Sequence, residues 1–166
     1  MLSSLRGLLV EQVRDLYSAE HQLIKALPQF AKASSDVTLK GLFLNHLEET
    51  RTHADRLEVI AERLGIQPTG KVCKAMQGLI AEGDEVLREA GEEPVVDAAL
   101  IAAAQRVEHY EISAYGTLRA IAERLGQHDV VRLVQETLNE EHAADEKLTG
   151  VSEGGVLKAA LAAGAH

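Results

Sequence analysis

Four stretches of this sequence carry apolar side chains at steps of three and four residues, the spacing that lines one face of a helix. In each, the apolar stripe is interrupted at its middle by ionisable residues. The first reads Leu9, Val13, Leu16, Glu20, Leu23, Leu27. The second reads Leu39, Leu42, His46, Glu49, His53, Leu57, Ile60, Leu64. The third reads Ile101, Ala104, Glu108, Glu111, Tyr115, Leu118, Ala122, Leu125. The fourth reads Val131, Val134, Leu138, Glu141, Asp145, Leu148. A chain with this pattern must bury four stripes against one another, and in doing so it brings its acids to one level of the interior.

The helical segments are expected at about 4–34, 37–64, 95–125 and 129–148, with a shorter one at about 72–90. Pro28 should kink or end the first. Ser34, Ser35 and Asp36 offer N-caps for the second, and Gly65 and Gly126 offer C-caps. Gly78 and Gly83 interrupt the short segment, and Pro94 suits the first turn of the next helix. The string Ile-Ala-Glu-Arg-Leu-Gly closes both the second and the third long segment, at 60–65 and 121–126. Two helical hairpins joined by a connection of about thirty residues make an all-α, antiparallel four-helix bundle with an additional helix in the crossover. Residues 1–150 form this bundle, and the Gly- and Ala-rich segment 151–166 is expected to be a flexible or weakly helical tail.

Composition narrows the function classes. There are 26 acidic against 17 basic residues, a formal charge of −9, which opposes nucleic-acid binding. No apolar run spans a membrane, and the N-terminus lacks the apolar core of a signal peptide. The single Cys73 forms no internal disulfide, which suits a reducing cytoplasm. It has no neighbouring His, so a nucleophile reading is weak.

The six central carboxylates are Glu20, Glu49, Glu108, Glu111, Glu141 and Asp145. One isolated buried carboxylate costs several kcal/mol, and six would also repel one another. No matching Lys or Arg lies on the stripes, which leaves one or two bound cations as the solution. Mixed carboxylate and imidazole ligands suit Fe, Mn or Zn. Taken singly the residues have plainer readings: Glu20 at a bundle edge, His46 as a hydrogen-bonded core histidine, Tyr115 as packing. The agreement of four helices outweighs them. The candidate metal set is Glu20, Glu49, His53, Glu108, Glu111, Glu141 and Asp145. His21, His109 and His142 lie about 100° off the stripes and are outer residues or, at best, donors behind the ligands.

Tyr17-Ser18-Ala19-Glu20, His46-Leu47-Glu48-Glu49-Thr50, Ala98 to Gln105, Val107-Glu108-His109-Tyr110-Glu111-Ile112 and Leu138-Asn139-Glu140-Glu141 resemble the ferritin-like superfamily. More closely, they resemble the YciE/YciF family of bacterial stress-associated proteins. The resemblance covers about residues 1 to 150. It implies a dimetal, diiron-type carboxylate centre and a homodimer. One departure is clear: the superfamily places His three residues after Glu on two helices, whereas positions 52 and 144 here are Thr and Ala. His53 and Asp145 instead follow Glu49 and Glu141 by four. If the metal is iron, the expected chemistry is redox activity toward oxygen or peroxide, with Tyr115 or Tyr17 passing electrons. A non-catalytic metal-binding stress protein and a structural, partner-binding bundle remain open, and no redox partner is indicated.

Overall fold

The computed structural model describes residues 3–164. Its four long helices are α1 (Leu5–Ala33), α2 (Val37–Leu64), α4 (Glu93–Arg124) and α5 (His128–Val151), with α3 (Lys74–Arg88) in the crossover. The short links at 34–36 and 125–127 fold α1 back on α2 and α4 back on α5. These are the two closest helix pairs, and α2 against α5 and α1 against α4 complete an antiparallel four-helix bundle. No helix among the described residues is long and apolar enough to cross a membrane.

Local chemistry sets the helix ends. Ser4 caps α1 by accepting from the Gly7 amide at 3.0 Å, and Asp36 caps α2 by accepting from the Leu39 amide at 2.8 Å. Gly65 and Gly126 both take φ of 67° where the chain leaves α2 and α4, a left-handed conformation that costs glycine nothing. The buried Asp97 of α4 ties the first hairpin down. It accepts from the Ser35 and Asp36 amides, each at 2.9 Å.

Packing decides at three places where local helix propensity is weak. Helix α1 runs through Pro28 to Ala33, close to the expected 4–34, with Phe30 and Ala31 buried beyond the proline. Tertiary packing of that last turn outweighs the missing N–H. Helix α3 runs through both Gly78 and Gly83. Gly83 is required by contact, because a Cβ there would collide with the Phe30 ring. The segment after Gly150 is helical among the described residues. After α5 comes one wide, π-type turn at Ser152–Val156 and then α6 (Leu157–Ala163), which packs on α4. Buried Val156 and half-buried Val151 join the core there and offset the poor helix propensity of Gly154 and Gly155. The last two residues of the expected tail lie outside the described residues.

Two apolar layers fill the bundle. One is built around Leu23, Leu27, Phe30, Leu39, Phe43, Met76, Leu100 and Ile101. The other is built around Leu9, Leu16, Leu57, Ile60, Leu118 and Val134. Between them in sequence, on every long helix, lie the ionisable residues.

Candidate metal centre

Helix α1 contributes Glu20, α2 contributes His46 and His53, α4 contributes Glu108 and Glu111, and α5 contributes Glu141. All six are buried; Glu20, His53, Glu111 and Glu141 have no measurable exposure. Their ligand atoms form two groups, each compact enough to hold an ion: Glu20, His53 and Glu141, and His46, Glu108, Glu111 and Glu141. Glu141 belongs to both groups and would serve both if two ions were held.

The inward atoms are close but not satisfied. His53 Nδ1 lies 2.9 Å from Glu141 Oε1 and 3.8 Å from Glu20 Oε2. His46 Nε2 lies 3.3 Å from Glu108 Oε1 and 3.9 Å from Glu141 Oε2. None of these approaches is aligned as a hydrogen bond. Glu20 Oε2, His46 Nε2, His53 Nδ1, Glu108 Oε2, both Glu111 oxygens and both Glu141 oxygens have no hydrogen-bond partner among the described residues. Unpaired buried polar atoms each cost about 1–3 kcal/mol. Their convergence, with a carboxylate and imidazole donor set, fits a pair of borderline cations such as Fe, Mn or Zn.

The sequence of residues 4–161 matches the family described as a domain of unknown function, DUF892. The chain belongs to this family. It is 42% identical to Protein YciF of Escherichia coli (strain K12) over 160 residues, 96% of each chain. The crystal structure of that E. coli stress protein superimposes with a TM-score of 0.91, covering 94% of this chain and 99% of the other at 43% identity. YcfI of Rhodopseudomonas palustris gives 0.87 at 44% identity, covering 89% and 94%. A ferritin-like, diiron-carboxylate protein of Bacillus anthracis gives 0.70 at 18% identity, covering 90% and 99%, and establishes the shared ferritin-like fold. The YciE/YciF resemblance and the bundle expected from the four stripes are thus both found.

Within this DUF892 chain, the electrostatics follow from burial. Desolvation raises the carboxyls of Glu108, Glu111 and Glu141 above their ordinary range and pushes Glu20 up to about 8. Burial opposes charge on His46, but Glu108, Glu49, Glu141 and Glu20 outweigh it and raise the imidazole to about 10. Without metal, protons do part of the work of cations.

Five of the seven residues expected from the sequence meet in the centre: Glu20, His53, Glu108, Glu111 and Glu141. Glu49 and Asp145 do not join either group. The Glu49 side chain is 26% exposed and lies 3.5 Å from His46 Nδ1 and 3.8 Å from Lys147 Nζ. The hydrogen bond from His46 holds its carboxyl below the usual range. Asp145 accepts from Gln105 at 3.1 Å and lies 3.3 Å from His109 Nε2. His46 joins the centre instead, and the sequence signal for it was its place on the stripe, two turns before His53. Tyr115 is fully buried and donates its hydroxyl to Glu20 Oε1, which leaves Oε2 facing inward. Tyr17 bonds Glu58 at the surface. Cys73 is buried as the N-cap of α3 and sits 2.9 Å from the Tyr110 hydroxyl, with its thiol raised by burial.

Proposed function

We propose that this protein holds two metal ions in the ferritin-like manner. Glu20 and His53 serve one position, His46, Glu108 and Glu111 serve the other, and Glu141 serves both. The observation that carries this reading is the set of buried donor atoms on four helices that face one another without partners. Iron is the metal preferred by the fold resemblance, and Mn and Zn suit the same donors. Bound iron would supply electron transfer to oxygen or peroxide.

The chain's own residues do the rest. Tyr115 fixes the rotamer of Glu20 through its hydrogen bond. The apolar layers on either side exclude water from the donors. A cavity of about 20 Å³, lined by Leu42, Phe43, His46, Glu49, Glu108, Ala144 and Leu148, reaches the His46 side. That is room for roughly one water-sized molecule, so an oxidant of that size fits and a large organic substrate does not. Because the E. coli relative is described as a stress protein, we propose a part in stress defence for this chain, and the family resemblance implies that it acts as a homodimer.

Metal analysis of protein purified from metal-replete cells, with a visible spectrum, tests the reading. About two ions per chain and ferric absorption are expected. Protein free of Fe, Mn and Zn contradicts it. Two ions held tightly with no consumption of peroxide or oxygen would leave metal holding without catalysis. Sedimentation giving a monomer would remove the homodimer.

A further inference from the structure

The two histidines of α2 present different ring nitrogens to the centre, and what stands behind each ring differs. Behind His53, Glu140 Oε2 lies 2.8 Å from Nε2. Glu140 is in turn gripped by both arms of the Arg56 guanidinium, Nη2 to Oε1 at 3.0 Å and Nη1 to Oε2. Arg56 is itself tied to α5, donating to Thr137 Oγ1 at 3.2 Å. Tyr115 meets the ring edge-on, with centroids 6.3 Å apart. Arg56 holds Glu140 as an acceptor, which favours the hydrogen of a neutral ring on Nε2; Nδ1, 2.9 Å from Glu141 Oε1 but in no aligned hydrogen bond, then turns its lone pair to the centre. Behind His46 the corresponding contact is long. Glu49 Oε2 is 3.5 Å from Nδ1, and Lys147 is 3.8 Å from the other Glu49 oxygen.

Resting on the dimetal reading, we propose that Glu140, braced by Arg56, is a positioning residue that locks His53 with Nδ1 toward the metal. The position built on Glu20, His53 and Glu141 therefore fills before the one built on His46. A ring already held in the binding orientation loses no further freedom when an ion arrives. The loosely backed His46 must still be ordered. Partners of this kind behind a ligating histidine typically change metal affinity by about 10–100-fold.

Two measurements on the full chain test this separately. The first is histidine nitrogen NMR of the metal-free protein, which reads which ring nitrogen carries the hydrogen. His53 is expected to carry its hydrogen on Nε2, and E140L is expected to lose that preference. The second is titration with Co²⁺, followed by its visible bands. Wild type should fill in two steps. E140L should weaken the first by about 10–100-fold and leave the second unchanged. E140Q, whose amide oxygen still accepts from His53, should fall between them, and H46A should remove the later step alone. Hydrogen on Nδ1 in the wild type, or unchanged steps in both E140L and R56Q, would overturn the proposal. Failure of the wild type to bind Co²⁺ would sink the dimetal reading itself, while the NMR result would still judge the lock on His53.

Discussion

Leu57 and Glu111 are equally sealed from solvent inside the same bundle. Leu57 belongs to an apolar layer in which every neighbour adds contact area and burial is favourable. Glu111 sits in the layer above it, with two carboxylate oxygens that bond nothing. One layer holds the helices together, and the other works against them until a ligand arrives. The apolar layers on both sides allow the middle one to be so unfavourable, because they keep the helices in place while the donors stay dry and unpaired.

Solution pH should separate the layers most strongly, since the apolar ones do not titrate. Glu20 rises from 4.5 to about 8 in the folded chain, so the native state keeps a proton that the unfolded state releases. Stability conferred below pH 4.5 is lost as pH climbs through about 8. His46, raised from 6.5 to about 10, adds a loss of the same sign above pH 6.5. At about 1.4 kcal/mol per pKa unit, metal-free protein should lose several kcal/mol between pH 5 and 9, read from urea midpoints. A midpoint that rises over that range would contradict the burial argument.

Leu57→Ala should cost the metal-free chain about 2–5 kcal/mol in urea unfolding, by lost burial and a residual cavity. Glu111→Leu should do the reverse. Removing two unpaired buried oxygens is expected to stabilise metal-free protein by about 1–3 kcal/mol and to flatten its pH dependence. Destabilisation by Glu111→Leu would erase the contrast between the layers. Asp145→Ala should change metal affinity least, by less than about threefold, because its partners are Gln105 and His109 and not the centre. A loss of an entire binding step in that variant would return Asp145 to the ligand set.

The bundle was legible because helical periodicity is a strong signal over thirty residues, and Glu20, Glu108, Glu111 and Glu141 interrupted apolar stripes that could face only inward. Finer placement depended on which partners stood beside each helix. His46 and His53 are seven residues apart, so they differ by only about 20° around the axis. Glu49 is turned about 60° away from His46, toward the flank. Asp145 turns instead to Gln105 and His109 of α4 and so leaves the centre. Glu140, about 100° from the stripe, matters only because α5 lies beside α2 and meets Arg56, a relation between helices that no single helix encodes. Pro28 and the glycines of α3 and of the segment after Gly150 gave a weak signal for a related reason. Their weak local propensity was overridden by packing against distant residues.

The most direct test of the central claim is a metal titration of the metal-free chain beside Glu141→Ala, with bound ions and released protons counted together. A dimetal centre sharing Glu141 predicts about two ions per wild-type chain, protons released as the raised carboxyls give up theirs, and affinity weakened more than about 100-fold at both positions in the variant. Wild-type protein that takes up no ion, or a variant that still binds two as tightly, would contradict it.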